Sequence, residues 1–205
     1  MIKRILNLLI LTQFWGYKKI NGWLSQNEAV GLYKVSSLLP KNAVVVEIGS
    51  WQGKSTYCIL SGLISGKVYA IDPFDATAGA DLKNETEYME KAKGIDLLEI
   101  FNDNLKKFIS TGKIEPRKGY SNQFNNEFKE IDFLFIDGDH TIKGCTEDYD
   151  LYAHKIVKGG YIAFHDYYEE KLDLGPTHVI NEVILKENIF TFFGRYDSLW
   201  VARKN

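Results

Sequence analysis

Two phrases of the chain, Phe-Ile-Asp-Gly-Asp-His at residues 135–140 and Ala-Phe-His-Asp at residues 163–166, end apolar runs in acids and histidines. Together they supply Asp137, Asp139, His140, His165 and Asp166. Carboxylates crowded into one cleft repel each other unless a cation or hydrogen bonds compensate them, and their oxygens suit Mg²⁺ or another hard divalent ion. Histidine titrates near neutrality and can serve as a general base. Plainer uses stand beside these: Asp139 can cap the helix that follows, and His140 can bond to loop backbone.

A third phrase, Val-Val-Val-Glu-Ile-Gly-Ser-Trp-Gln-Gly-Lys-Ser-Thr at residues 44–56, ends a β-branched run in a glycine turn. Its tail, Gly53-Lys54-Ser55, looks like the end of a phosphate loop. Such a loop needs four residues between its glycines, so that successive N–H groups wrap the phosphates. Gly49 and Gly53 enclose only Ser50, Trp51 and Gln52. A nucleotide hydrolase built on this turn, with Asp137 holding magnesium, is therefore the alternative reading. A dinucleotide fingerprint would need glycine at positions 51 and 54, which hold Trp and Lys. What remains is E-x-G-x-x-x-G, formed by Glu47, Gly49 and Gly53, with Asp72 ending the next apolar run. Small residues let backbone approach a ligand, and an acid at the second strand accepts from both ribose hydroxyls. That chemistry fits a nucleoside carrying an amino acid and no phosphate.

The elements that must position these groups alternate. Ser25-Gln26-Asn27-Glu28 is a capping box opening a helix toward Pro40. Strands are expected over Ala43–Ile48, Lys67–Ile71, Lys113–Lys118, Ile131–Ile136 and Tyr161–Phe164, separated by helical segments. The helix after the fourth strand is read as carrying Cys145, Tyr149, Tyr152, Ala153 and Ile156 on one face and closing at Gly159-Gly160. A last helix carries Val179, Ile180, Val183 and Ile184. Ile189–Tyr196 and Ser198–Arg203 lie too close for a crossover helix and must form an antiparallel hairpin. The expected fold is α/β: a Rossmann-like, doubly wound, mostly parallel sheet of about seven strands with a C-terminal antiparallel hairpin and helices on both faces. Ligands then gather at the carboxyl ends of the parallel strands.

At 205 residues, 45% apolar and 25% charged, the chain suits one soluble domain. A net charge of −2 gives no electrostatic reason to expect nucleic acid. Cys58 and Cys145 have no metal-ligand spacing and are expected as reduced, buried thiols in a cytoplasmic protein. The apolar N-terminus is too short to span a bilayer. Ile2, Ile5, Leu6 and Leu9 keep helical spacing, so residues 1–39 are expected as a helical segment packed on the domain at 40–205 or on a second copy in a homo-oligomer.

The E-x-G-x-x-x-G turn, Asp72 and the terminal hairpin together resemble the class I S-adenosylmethionine-dependent methyltransferases. Trp51, where the usual motif has glycine, is similar to the catechol O-methyltransferase-like branch. Asn21-Gly22-Trp23-Leu24-Ser25, Ile-Asp-Gly-Asp-His and Lys-Gly-Gly-Tyr-Ile-Ala-Phe-His-Asp look like the metal-assisted sugar and macrolide O-methyltransferases with their cephalosporin-tailoring relatives. The resemblance implies S-adenosyl-L-methionine held by Glu47, Gly49, Ser50, Trp51, Gly53, Ser55 and Asp72, with Gly119 and Ser121 toward the adenine. It implies a divalent ion on Asp137, His165 and Asp166, with His165 replacing the carboxylate often found there, and His140 as general base. The acceptor is expected to be a small hydroxylated molecule, sugar-containing or polyhydroxylated. A non-catalytic module that keeps the cofactor fold is the other alternative. The segment 73–87 and Tyr167–Thr177 are candidate lids over the acceptor.

Overall fold

The computed structural model of the protein describes residues 10–76 and 85–205. Strands β1 (Ala43–Ile48), β2 (Gly66–Asp72), β3 (Ile114–Lys118), β4 (Ile131–Ile136), β5 (Ile156–Phe164), β6 (Phe190–Tyr196) and β7 (Leu199–Lys204) form one sheet. Its order is β3-β2-β1-β4-β5-β7-β6. The first five strands run parallel, and the β6–β7 hairpin adds antiparallel to β5.

Side chains alternate along each strand and feed two cores. Val45, Val68, Phe133, Phe135, Ala163 and Val201 face one cluster, where α1 (Gln26–Ser37), α2 (Lys54–Gly62) and α4 (Leu97–Ile109) contribute Leu32, Ile59 and Phe101. Val46, Leu134, Ile136, Ile162 and Phe164 face the other, closed by Cys145 and Tyr152 of α5 (Ile142–Tyr152) and by Ile180. With both faces covered, the strands read as continuous apolar runs. A short α3 (Glu85–Ala92) precedes α4. Leu11, Phe14 and Tyr17 pack into the first cluster, whereas Ile2, Ile5, Leu6 and Leu9 lie outside the described residues. So do residues 77–84 of the first candidate lid.

The chain winds from β1 outward to β3 and then returns to β4 on the other side of β1, so β1 and β4 diverge at a topological switch point. Backbone pairing runs past the strand ends. Gly49 N–H donates to Ile71 O at 2.9 Å, Asp137 N–H to Ile48 O at 2.8 Å, and His165 N–H to Ile136 O at 3.1 Å. The residues ending β1, β4 and β5 are thereby brought flush along one edge.

Two boundaries differ from the sequence expectation. α5 ends at Tyr152, and Ile156 opens β5 rather than finishing the helix. Gly159-Gly160 lies inside that strand, where the register jumps from Ile131↔Ile156 to Phe133↔Tyr161. The glycine pair accommodates a bulge, a use that looks like a helix stop when only neighbouring letters are read. The last helix begins earlier than its apolar stripe: α6 (Gly175–His178) starts at Gly175-Pro176 and continues through a π-helical turn, Val179–Val183. Among the described residues no helix is long and apolar enough to cross a membrane. Cys58 and Cys145 are free and buried.

Candidate active site

A cavity of about 930 Å³ opens at the carboxyl ends of β1, β2, β4 and β5. Its wall includes Gly49, Ser50, Trp51, Ser55, Asp72, Asp137, His140, His165 and Asp166 from the sequence expectations. Backbone in left-handed conformations concentrates here: Gly49 (φ 83°), Trp51 (φ 49°) and Asp166 (φ 57°). For a residue as bulky as Trp51 that conformation is costly and persists only where the surroundings impose it. Here Asp72 does so. Its carboxylate accepts from Ser50 N–H at 2.9 Å, Trp51 N–H at 2.8 Å and Phe74 N–H at 2.6 Å.

One oxygen each of Asp137 and Asp166 and a ring nitrogen of His140 all lie within 4.8 Å of one another. His140 Nε2 is 3.5 Å from both acids, without hydrogen-bond geometry to either, and is buried. Two carboxylates in one cleft fit a hard divalent ion, and the buried imidazole nitrogen beside them, with no hydrogen-bond partner, can take a proton. His165 stands beside the same two acids. The converging group among the described residues does not include it. Its Nδ1 lies 3.2 Å from Asp137 and 3.4 Å from Asp166, and its Nε2 is turned 3.3 Å toward Glu28. The ring lines the same cavity, with carboxylates near both of its nitrogens.

The electrostatics follow. Burial would lower the pKa of both rings, but the adjoining acids hold His140 above its ordinary value and His165 well above it. Burial would raise Asp166, yet His165, His140 and the Tyr168 hydroxyl bring it down to about 2. Glu28 behaves likewise: burial works to raise it, and His165, Ser198 and Ser25 hold it at about 2.

Glu28 is a residue that sequence reading assigned only to a helix cap. That role exists, since Ser25 N–H donates to its Oε2 at 2.7 Å. Its Oε1 accepts from Ser198 N–H at 3.0 Å and Ser198 Oγ at 2.6 Å, tying α1 to the β6–β7 turn. Ser25 Oγ and Asn27 add bonds to Asp197. No local signal could have found this, because the partners lie about 170 residues away.

Two predicted cofactor residues stand back from the cavity wall. Glu47 is fully buried and accepts the Thr56 hydroxyl at 2.5 Å, bracing α2 against β1, and burial pushes its pKa up to about 8. Gly53 is buried against Phe101 and Leu105 of α4. Gly119 and Ser121 line a smaller recess of about 130 Å³, which shares Gly49, Pro73 and Gly138 with the main cavity. There Ser121 Oγ donates to Asp148 of α5 at 2.5 Å. Asp139 also faces this recess and accepts Thr141 N–H at 2.8 Å, while Thr141 itself caps α5.

Burial raises the Asp148 carboxyl from 3.8 to about 7, against the hydrogen bond from Ser121. An acid raised on folding adds stability below its unfolded pKa and loses that stability as pH rises through the folded value. Asp148→Asn is therefore expected to stabilise the protein near pH 8, on the order of 3 kcal/mol, and to change little near pH 4. Urea unfolding at the two pH values checks this.

Lys54 is half-buried, lines the cavity and donates from Nζ to Gly22 O at 2.7 Å. Trp23, from the same Gly22–Leu24 arm, packs on Trp51 with ring centroids 5.7 Å apart. Tyr168, Lys171 and Leu174 of the second candidate lid also line the cavity, and Tyr168 Oη donates to Asp166 at 3.3 Å.

Residues 46–167 match the methyltransferase-domain family. Among solved structures, an O-methyltransferase from Bacillus cereus in complex with S-adenosylhomocysteine is 18% identical and has a TM-score of 0.65, with 97% of this chain and 90% of that one covered. A methyltransferase from Geobacter sulfurreducens is 15% identical with a TM-score of 0.60, covering 88% and 79%. The O-methyltransferase NovP is 11% identical with a TM-score of 0.62, covering 88% and 81%. At these identities the likeness is one of fold. An uncharacterised protein of Acanthamoeba polyphaga mimivirus is 39% identical over 54 residues, so the match spans 26% of this chain and 24% of that relative.

Proposed function

The chain belongs to the methyltransferase-domain family as a class I S-adenosylmethionine-dependent methyltransferase, and from that premise we propose that it methylates a hydroxyl of a small, sugar-containing acceptor, with a divalent ion held by Asp137 and Asp166 and His140 as base. The observation that carries this reading is the convergence of two strand-end carboxylates and the unpartnered His140 nitrogen in the cavity beside the glycine turn. Two fold neighbours are O-methyltransferases, which favours oxygen as the acceptor atom. Trp23 and Tyr168 offer ring faces, and Asp197 offers hydrogen bonds, in a space large enough for a sugar unit. The two buried, free cysteines favour a reducing, cytoplasmic setting.

A divalent ion between Asp137 and Asp166, when bound, would lower the pKa of the acceptor hydroxyl and fix its position. The chain supplies the rest. Asp72 retains lone pairs for the ribose hydroxyls, and Ser121 faces the adenine with its hydrogen already given to Asp148. His140 Nε2 takes the hydroxyl proton. The acceptor oxygen forms its bond to the methyl carbon as the carbon–sulfur bond breaks, and the electron pair stays on sulfur to leave S-adenosylhomocysteine. Holding the three atoms in line is the main contribution of the fold. His165 stands beside the acids and holds them in place, with Glu28 on its other nitrogen.

Calorimetric titration with S-adenosylhomocysteine, with ATP, and with Mg²⁺ or Mn²⁺ tests the reading, followed by an acceptor screen. Micromolar binding of S-adenosylhomocysteine, no heat with ATP, and divalent binding lost in Asp166→Asn are the expected results. ATP turnover would favour the nucleotide hydrolase, and undiminished methyl transfer after complete chelation would remove the ion from the mechanism.

A further inference from the structure

The geometry points to Lys54 as the partner of the carboxylate at the amino-acid end of S-adenosylmethionine, an inference that rests on the cofactor assignment above. α2 begins at the cavity wall, and its N-cap, Gly53, has no side chain to cap it. The first N–H groups of this nine-residue helix therefore have no intrahelical acceptor and carry partial positive charge. Ser50 Oγ, in a residue only 2% exposed, is on the same wall and has no hydrogen-bond partner. Lys54 Nζ uses one of its three hydrogens on Gly22 O, leaving two for a ligand. Ser50, Lys54 and Ser55, at the start of this helix, all line the one cavity.

The charges of the cavity assign that anion. This end of the cofactor carries one anion, the carboxylate, and two cations, the ammonium and the sulfonium. The acids of the wall, Glu28, Asp72, Asp137, Asp166 and Asp197, repel a carboxylate, so its partner must come from the bases. Of the lining bases, Arg195 is taken by Glu169 at 2.5 Å, and Lys171 lies over the Tyr168 ring on the segment after β5. Lys54 stands on the nucleoside turn itself, one residue past Gly53. The Gly22–Leu24 arm, held by Lys54 and by the Trp23–Trp51 contact, then covers the amino-acid end. The lysine that gives the turn its phosphate-loop look thus has an anion to bind, a carboxylate in place of a phosphate.

The test compares S-adenosylmethionine with its decarboxylated form, which keeps both cations and lacks only the carboxylate. By calorimetry the wild-type protein is expected to prefer the intact cofactor by about 10- to 100-fold. Lys54→Met should reduce that preference to within about threefold by weakening the intact cofactor alone, and Lys54→Arg should restore most of it. Unchanged binding of the decarboxylated form reports that the fold is intact. A Lys54→Met protein that keeps the wild-type preference, or loses both ligands equally, overturns the inference. Wild-type protein that binds neither ligand would instead remove the cofactor assignment on which it rests.

Discussion

Replacing His140 with alanine is expected to slow methyl transfer by about 10²- to 10⁴-fold, the range by which a positioned base accelerates proton removal. Binding of S-adenosylhomocysteine should stay within a few-fold of wild type, because His140 lies on the β4–α5 loop and the nucleoside turn lies after β1. The wild-type rate is expected to rise with pH as the ring loses its proton. Without the ion, Asp137 and Asp166, 3.5 Å away, hold that proton more tightly than an ordinary histidine would; a divalent ion on the two acids would weaken that hold and move the rise to lower pH. In His140→Ala this limb should disappear. A variant with normal turnover would end the base assignment, and one whose main defect is divalent-ion affinity would move the ring into the ligand set.

Gly49→Ala is expected to be the most damaging single change to stability in the site, costing more than about 4 kcal/mol, a large share of what a domain of this size possesses. A Cβ built there would lie 2.0 Å from Asp137 O, 2.5 Å from its carbonyl carbon and 2.8 Å from Gly138 N. All three are backbone atoms of the neighbouring strand end, so no rotamer can relieve the clash, and φ at 83° is unfavourable for alanine as well. Gly94 separates the two contributions. Its φ is 75°, but a Cβ would meet nothing within 4 Å, so Gly94→Ala should lose only the backbone part, about 1 kcal/mol. Parallel urea unfolding of both variants decides this. Near-equal losses would mean that β1 and β4 separate easily at the switch point, and that Gly49 is not needed to keep them close.

Much of the site was legible because its signals are local. The apolar runs ending in Glu47, Asp72, Asp137 and Asp166 are strand patterns with polar punctuation, and parallel topology carries such endings to one edge. The count of residues between Gly49 and Gly53 argued against a phosphate loop without any coordinates. The hairpin was forced by the short distance between its strands.

What the sequence by itself determined, then, was the order of strands and helices, the glycine turn after the first strand, and which acids end which strands, since each depends on neighbours a few residues apart. Tertiary structure alone decided what those residues touch. It turned His165 toward Glu28 and left His140 between the two acids. It took a capping glutamate and bound it to Ser198 across 170 residues. It buried Asp148 against Ser121 and aimed Lys54 at Gly22 rather than at water. It also spent Gly159-Gly160 on a bulge within β5. A side chain's direction and ionisation follow from the groups packed around it, and in this fold those groups come from segments far apart in the chain.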